Sequence, residues 1–322
     1  MTSAASKHMN GVLVIDKPAG PTSHDVVAVV RRAIGSPKVG HTGTLDPLAT
    51  GVLPLVIGRA TRLASYMSGA DKEYIARIRF GVSTATYDAE GRGGSGGSAP
   101  SSQGLSAVAG LDEGAVRESL RAFEGTFLQT PPPFSAKKVG GTPAYKLARR
   151  DKPVEMTPVE VTVRELALLG YADGLALVRL VSSSGFYVRS LAHDLGQRLG
   201  CGAHLEGLRR TRAGEFTLDD AAALQAVVVG GAAAASERLV AMDRLLTMMP
   251  AVVVNDSGAR RACHGSTLRP EDLAVTGGDA PGGRFPAPSF DRRLRLLDQA
   301  GSLLGLVERR DDGLLHPLVV LV

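Results

Sequence analysis

The stretch on which the interpretation of this 322-residue chain depends is GHTGTLDPLATG, residues 40–51. Glycines, threonines and one proline surround a single carboxylate, that of Asp46. Glycine allows positive φ angles and close approach of the backbone to a ligand, and Pro47 restricts the backbone directly after the acid. Such a loop can hold Asp46 in one geometry beside a substrate, although polar loops of this composition are more often plain turns.

Regular elements are predicted on both sides of this loop. A short buried strand at 11–15 precedes a helix that begins near Pro21 and ends at Gly35, with Thr22 and Asp25 spaced as a capping box. Hydrophobic periodicity predicts the other elements. These are strands at 52–57, 73–82, 159–163 and 175–181, and helices at 60–67, 116–123, 187–199 and 227–236.

This order of elements predicts an α+β fold in two domains. Residues 1–249 mix helices and strands and are expected to form a catalytic domain on an extended sheet. Short apolar runs after Pro250 predict a separate small, mainly β domain over residues 250–322. The Gly/Ser/Ala-rich segment 91–104 is expected to be a flexible surface insertion without chemistry.

The composition favours some classes of protein over others. A formal net charge of +5 favours a polyanionic partner such as nucleic acid, without proving that one binds. Cys201 and Cys263 lie far apart, which argues against a disulfide framework and a cysteine-rich zinc site. The sequence contains no apolar run long enough for a signal peptide or a membrane span, so the cytoplasm is the expected compartment.

Several common chemistries lack their motifs. The loop is not a GxxxxGK[ST] phosphate loop, no GxGxxG follows a strand, no GxSxG forms a strand-to-helix elbow, and no HExxH occurs. Neither a nucleotide cofactor nor a metal is therefore expected. What remains is carboxylate chemistry, in which Asp46 acts either as a general base or as a nucleophile.

A catalytic carboxylate that is buried needs a positive partner to stay ionised. The candidates are Lys17, Arg59, Arg62 and Arg189, and sequence spacing does not choose among them.

Two basic stretches are candidates for RNA contact. Runs of charge are often only solvated surface, but basic residues interleaved with a tyrosine also suit phosphates and a stacked base. The first stretch contains Lys137, Lys138, Tyr145, Lys146, Arg149, Arg150 and Lys152, and the second contains Arg209, Arg210 and Arg212.

Several motifs in one order resemble a known family. GHTGTLDPLATGVL, preceded by VLVIDKPAGPTSHDVV, closely resembles the signature of the bacterial tRNA pseudouridine-55 synthases, the TruB family. Further matching points are DKEY at 71–74, PFSAKK at 133–138, GFYVR at 185–189 and LRR at 208–210. The resemblance extends from about Gly11 to about Met249.

The resemblance implies catalytic roles at matching positions. Asp46 would be the nucleophile, Arg189 its ion-pair partner, and Tyr74 the aromatic ring that stacks on the target uracil, with proton transfer as a second implied role. The implied reaction isomerises the uridine at position 55 of the tRNA T-loop to pseudouridine and needs no cofactor. The carboxylate could add to the ribose C1′, add to the base C6 or promote a glycal route, and the sequence does not separate these.

The resemblance also implies how RNA is held. His41 would fill the space left when the T-loop opens, and Tyr187 and Leu208 would line the uridine pocket. Residues 130–152 would form a thumb that clasps the T arm. Basic residues expected to contact RNA are Lys17, Lys137, Lys138, Arg149, Arg150, Arg209 and Arg210, with Tyr145 beside them.

The implied fold is a pseudouridine-synthase domain with a mixed or antiparallel sheet flanked by helices, followed by a PUA-like C-terminal domain that this sequence matches only loosely. The expected partner is the T-arm of tRNA, with no membrane, metal or obligate protein partner. Two alternatives stay open: a tRNA-folding chaperone with a vestigial site, and a guide-RNA-dependent synthase of a ribonucleoprotein. We expect a monomer.

Overall fold

The computed structural model describes residues 9–93, 102–135, 137–139, 142–143, 156–274 and 292–321. Its larger part consists of one long sheet and the helices that cover it. In chain order the elements are β1 (Gly11–Lys17), α1 (Ser23–Ile34), β2 (Val39–His41), β3 (Ala49–Ile57), α2 (Ala64–Ser68), β4 (Lys72–Phe80), α3 (Ser102–Ala109), α4 (Glu113–Arg121), β5 (Gly125–Gln129), β6 (Lys138–Val139), β7 (Thr142–Pro143), β8 (Val159–Ala172), β9 (Leu175–Ser182), α5 (Val188–Arg198), β10 (Ala203–Ala213), β11 (Phe216–Thr217), β12 (Ala222–Ala223), α6 (Leu224–Glu237) and β13 (Leu239–Ala241).

The first helix shows how local sequence determines an element. Thr22 accepts the backbone N–H of Asp25, and the Asp25 carboxylate accepts the N–H of Thr22, which confirms the predicted capping box. Gly35 ends the helix with φ near 65°, a left-handed conformation that glycine adopts without a steric penalty. Val26 and Val30 lie on the buried face of α1.

The long sheet brings three distant parts of the chain together. Its strand order is β12-β1-β3-β10-β4-β9-β8-β5, with β2 beside β3, β11 beside β10 and β13 beside β1. The β1–β12 and β3–β10 pairs are parallel and the other pairs of this sheet are antiparallel, which confirms the predicted mixed sheet. Leu208 of β10 lies opposite Ala49 of β3, and Arg210 of β10 lies opposite Tyr74 of β4.

The two faces of the sheet pack into different cores. Helices α1 and α5 cover one face with residues such as Ile34 and Leu191. Val12 and Val14 of β1 point to the other face, into a cluster that includes Leu303 and Leu306 from the C-terminal part of the chain. Strand β1 is buried on both faces, which explains its continuous apolar run.

The C-terminal part forms a second, four-stranded sheet. Its elements are β14 (Ala251–Val253), α7 (Asp256–Cys263), β15 (Arg293–Leu297), β16 (Leu303–Arg309) and β17 (Leu315–Val320), with strand order β14-β15-β16-β17. A small, mainly β C-terminal domain is thus confirmed. The exact boundary after residue 249 stays a prediction.

Among the described residues, the structure contains no helix with the length and apolar character needed to cross a membrane.

Two helical elements extend into the ends of the segment 91–104, and its flexibility stays a prediction. Ala89–Gly93 forms a 3-10 helix, and α3 begins at Ser102. The low-complexity composition of this segment gave no indication of α3. Val108 of α3 and Leu111, which follows it, pack against the main core. Residues 94–101 lie outside the described part.

Candidate active site

The loop that carries Asp46 is fixed through its backbone. The Ser23 hydroxyl accepts the N–H of Leu45 at 2.8 Å and donates to the carbonyl of the same residue at 3.0 Å. On the other side of the acid, the Lys17 ammonium donates to the carbonyl of Pro47 at 3.2 Å. Backbone groups that are bonded on both sides of Asp46 leave its side chain few orientations.

The carboxylate of Asp46 pairs with a buried arginine. Arg189 Nε lies 2.9 Å from Asp46 Oδ2, and Arg189 is only 6% exposed. Its guanidinium also lies 3.2 Å from the Asp88 carboxylate and donates to the carbonyls of Thr86 at 3.1 Å and Phe134 at 3.0 Å. Of the four cations proposed as partner of the acid, Arg189 therefore forms the ion pair.

This ion pair lies in the wall of a pocket of about 250 Å³. Strands β3, β10 and β4 place the Asp46 loop, Leu208 and Tyr74 side by side, while the start of α5 adds Tyr187 and Arg189. The lining residues are Thr42, Gly43, Thr44, Leu45, Asp46, Ser68, Lys72, Tyr74, Ser183, Ser184, Gly185, Phe186, Tyr187, Val188, Arg189, Leu208 and Arg210. A small cavity that combines apolar walls with converging polar and charged groups is a common form of ligand site.

The surroundings of Asp46 oppose and support its charge at once. Burial raises the pKa of its carboxyl, and the nearby Asp88 charge raises it further, whereas the charges of Arg189 and Lys17 lower it. About a third of the side chain, 35%, remains accessible, and this part faces the pocket. The acid is thus both desolvated and reachable by a bound molecule.

Tyr187 is held at the start of α5 by a pair of backbone hydrogen bonds. Its N–H donates to Gln129 Oε1 at 2.8 Å, and its carbonyl accepts from Gln129 Nε2 at 3.1 Å. Burial raises the pKa of the Tyr187 hydroxyl. Ser190 donates to the carbonyl of Thr130 at 2.8 Å, so the first residues of the predicted thumb are attached to the pocket wall.

His41 lies beside the pocket and is not among its lining residues. Its Nδ1 accepts the N–H of Gly43 at 3.3 Å, and its ring meets that of His24 edge-on at 5.2 Å. Burial, together with the charges of His24 and Arg210, lowers the pKa of His41.

Two of the basic residues expected to contact RNA are internal. Lys17 has no exposed surface, and its ammonium also donates to the carbonyls of Pro18 at 3.0 Å and Ala49 at 2.7 Å. Arg210 is 1% exposed and donates to the carbonyl of Val52 at 2.7 Å. Their charges are already solvated by backbone carbonyls inside the protein, which argues against contact with RNA phosphates. An RNA-binding role for these two residues stays a prediction.

The other predicted RNA contacts have mixed outcomes. Arg209 is half-exposed and pairs with Asp16 at 2.9 Å, and Lys137 donates to the carbonyl of Thr157 at 3.0 Å. Lys138 belongs to β6, but its side chain lies outside the described part, as do Tyr145, Arg149 and Arg150 in full. RNA contact by these residues stays a prediction.

Two charged residues of the site had no predicted role. Asp88 is 2% exposed and binds Arg189, and the threonines at 84 and 86, which bond to it, are a weak signal of an ordered turn. Lys72 lines the pocket and donates to the carbonyls of Ser68 and Ala70. Burial lowers the pKa of Lys72 to about 8.

Among the described residues, the structure contains no cluster of three or more His, Cys, Asp or Glu suited to a metal.

Comparison with known protein families identifies the class of this chain as the pseudouridylate synthases. The N-terminal domain model of the TruB family of pseudouridylate synthases matches residues 31–188, and a model of the tRNA pseudouridylate synthase B C-terminal domain matches residues 189–252. The chain belongs to the TruB family.

Curated relatives cover nearly the whole chain. A protein of Solibacter usitatus named tRNA pseudouridine synthase B is 43% identical over 97% of this chain and 100% of its own length. A Burkholderia mallei protein of the same name is 41% identical over 97% of each chain. One from Symbiobacterium thermophilum is 45% identical over 81% of this chain and 84% of its own.

Solved structures of similar fold come from multicomponent complexes. A chain in a Cbf5-Nop10-Gar1 complex has a TM-score of 0.68 and 26% identity, over 92% of this chain and 78% of its own. A chain in an H/ACA RNP bound to a substrate RNA containing 2′-deoxyuridine has a TM-score of 0.69 at 23% identity, over 97% of this chain and 85% of its own. The second likeness concerns the fold alone.

Proposed function

We propose that this chain is a tRNA pseudouridine synthase that acts on the T-loop uridine at position 55, with Asp46 as its nucleophile. Membership of the TruB family and the names of the curated relatives support the reaction and the RNA class. The observation that carries the proposal is the Asp46 carboxylate, 2.9 Å from Arg189 Nε, in the wall of a pocket whose lining includes Tyr74, Tyr187 and Leu208.

The pocket chemistry suits an everted uracil. Extruding a base from a loop costs a few kcal/mol, which contacts to the RNA backbone and stacking inside the pocket can offset. Tyr74 is assigned the stacking role, and Tyr187 and Leu208 are assigned to the walls of the pocket that holds the uracil. His41, beside the pocket and disfavoured as a cation by its burial, is assigned to the space that the base vacates.

The reaction balances without a cofactor. The N1–C1′ bond of the uridine breaks, the uracil turns, and a C5–C1′ bond forms; N1 gains a proton and C5 loses one. Asp46 supplies the nucleophilic carboxylate, and addition to C1′, addition to C6 and a glycal route all remain compatible with its position. Arg189 keeps the acid ionised and oriented, which is the usual requirement for a carboxylate nucleophile.

The rest of the chain is assigned to binding. Residues 130–152 form the thumb that clasps the T arm, and the PUA-like domain at 250–322 contacts the remainder of the tRNA. Arg209, Lys137, Lys138, Arg149, Arg150 and Tyr145 provide the RNA contacts. The compartment that fits a tRNA substrate is the cytoplasm.

The deciding experiment is incubation with unmodified tRNA followed by mapping of new pseudouridine. We expect a single product at T-loop position 55 from the unaltered protein. Asp46→Asn should abolish product formation while the tRNA dissociation constant changes by no more than about threefold, because a nucleophile contributes to chemistry far more than to affinity. Asp219→Asn, the same change at a carboxylate outside the pocket, is the control.

Three other results would count against parts of this proposal. Turnover by Asp46→Asn would remove Asp46 as nucleophile. Binding of tRNA without any product would favour the folding-chaperone alternative. Product that appears only with an added guide RNA would favour a guide-dependent synthase.

A further inference from the structure

Arg189 depends on a short loop for two of its contacts. This loop, residues 81–88, follows β4 and supplies the Thr86 carbonyl and the Asp88 carboxylate. Together with Asp46 and the Phe134 carbonyl, these two acceptors hold the Arg189 guanidinium in position. A contact that fixes the loop therefore also helps to fix the ion pair of the active site.

Tyr87 lies between these two acceptors in an unusual conformation. Its φ angle is 64°, in the left-handed region that residues with a side chain seldom adopt. Strain of this kind persists only where the surrounding structure imposes it. In an otherwise similar turn a glycine would adopt the same angle without cost.

The ring of Tyr87 is stacked on the ring of His193. The two ring centroids lie 3.8 Å apart with an angle of 10° between the planes. His193 lies one helical turn after Arg189 on α5, so the two side chains project from neighbouring positions of the same helix. The loop is thus bound to α5 at two adjacent points, once through Arg189 and once through this stack.

The contact of His193 is made by the face of its ring. Its Nδ1 is buried and has no hydrogen-bond partner in the described part of the chain. Burial lowers the pKa of His193 and raises that of Tyr87, which favours two uncharged rings. An aromatic ring without polar atoms should therefore replace His193 in this contact.

We propose that Tyr87 and His193 are positioning residues that hold Thr86 and Asp88 against Arg189, and through it orient the Asp46 carboxylate. This inference rests on the proposed function, since it concerns the same reaction. Neither ring lines the pocket, so neither is expected to touch the substrate. Their effect should fall on the rate of the chemical step and not on tRNA affinity.

The test compares removal of the stack with its conservative replacement. His193→Ala should lower kcat by about 10- to 100-fold, with KM for tRNA changed by less than about threefold, because small misplacements of reacting groups cost this much. His193→Phe, which keeps a stacking ring, should restore most of the lost rate. Tyr87→Gly relieves the backbone strain but removes the ring, so we expect it to lower kcat as His193→Ala does, whereas Tyr87→Phe should not.

Two controls separate positioning from general loss of stability. Tyr171→Ala removes an aromatic contact with Phe80 away from the pocket, and should lower the melting temperature without lowering kcat in the folded protein. His193→Ala and Asp88→Asn should combine non-additively in kcat, because both act through Arg189.

The outcomes distinguish this inference from the proposed function. An unaltered protein that forms no pseudouridine overturns the proposed function itself. Normal turnover with His193→Ala at a temperature where the variant is folded, or failure of His193→Phe to exceed His193→Ala, overturns the positioning role alone.

Discussion

The carboxyl group of Asp46 combines reactivity with an unfavourable environment for its charge. Burial and the neighbouring Asp88 favour the protonated acid, while Arg189 and Lys17 favour the ionised one. A carboxyl whose pKa is raised in the folded state is stabilised in its protonated form, so its ionisation lowers the free energy of unfolding as pH rises through the shifted pKa. The site thus gives up some stability for a desolvated nucleophile.

The role of Arg189 can be tested through pH dependence. Arg189→Met removes the largest effect that lowers the pKa of Asp46, so this pKa should rise further and the acid limb of kcat should move to higher pH. At pH 7 we expect kcat to fall on the order of 100-fold, part of which returns at higher pH. Single-turnover rates measured from about pH 5 to about pH 9 give both values, and Arg189→Lys, which keeps the charge, is the matched control. An acid limb that does not move would contradict the electrostatic role.

At the level of single residues, sequence motifs predicted which residues lie at the site better than they predicted whether a side chain is buried or exposed. Motif resemblance indicated Asp46, Tyr74, Tyr187, Arg189 and Leu208, and the structure places all five at one pocket. Their catalytic roles stay predictions. A basic side chain in a motif looks the same whether it faces water or the interior, which is why the sequence did not reveal that Lys17 and Arg210 are buried.

The strand that contains Arg210 shows a second limit, at the scale of the element. The segment AHLEGLRRTRA lacks a clear apolar alternation, yet it forms β10 between β3 and β4. Only pairing with strands distant in sequence makes it central, so local periodicity could not reveal it. By contrast, β4 shows strict alternation, and its predicted inward residues, from Tyr74 to Phe80, are buried as expected.

Lys17 connects β1 to the catalytic loop, and its removal should affect an element rather than RNA binding. Lys17→Met leaves the carbonyls of Pro18, Pro47 and Ala49 without their charged donor. We expect the free energy of unfolding at neutral pH to fall by about 1–3 kcal/mol, with a lower kcat because the Asp46 loop loosens. Urea unfolding and turnover assays measure the two effects.

The same variant tests whether the Lys17 ammonium stays inside the protein when tRNA binds. The slope of log affinity for tRNA against log salt should stay unchanged in Lys17→Met, because its ammonium contacts no phosphate. A smaller slope would show that Lys17 reaches the RNA after all.

The effect of Lys17 on the pH dependence of stability has a defined sign. Burial lowers the pKa of Lys17 to about 8, from an ordinary value of 10.5. As pH rises between these two values, the free energy of unfolding should increase, because the Lys17 amine has lost its proton in the folded protein but still carries it in the unfolded chain.

For the whole molecule, RNA affinity should depend on the basic residues of the thumb. Replacing Lys137, Lys138, Arg149 and Arg150 by glutamine should weaken tRNA binding and reduce the salt slope by roughly 0.7–0.9 for each phosphate that is no longer neutralised. Arg117→Gln with Arg121→Gln, which removes two positive charges from the exposed face of α4, tests whether loss of surface charge outside the thumb also weakens binding. An unchanged slope in the thumb variant would place the RNA-binding surface elsewhere.

The two sheets of the molecule share a core, and this has a consequence for unfolding. Leu306 of β16 and Leu321, which follows β17, belong to the same buried cluster as Val12 and Val14 of β1. Arg62, which follows β3, also donates to the carbonyl of Val320 in β17. A C-terminal domain that was joined to the catalytic domain only by a linker would not contribute side chains to the core that packs against β1.

We therefore expect the chain to unfold in one cooperative transition. Leu306→Ala should lower the free energy of unfolding by about 2–5 kcal/mol, the usual effect of a cavity in a core, and should do so for both sheets together. Leu304→Ala, in the separate core around α7, should shift the same transition for both sheets, because a chain that unfolds in one step loses all its cores together. Urea titration with proteolysis and mass spectrometry reports each half of the chain separately. Loss of the C-terminal sheet at a denaturant concentration that leaves β1 and β3 protected would show that the shared cluster does not couple the two sheets.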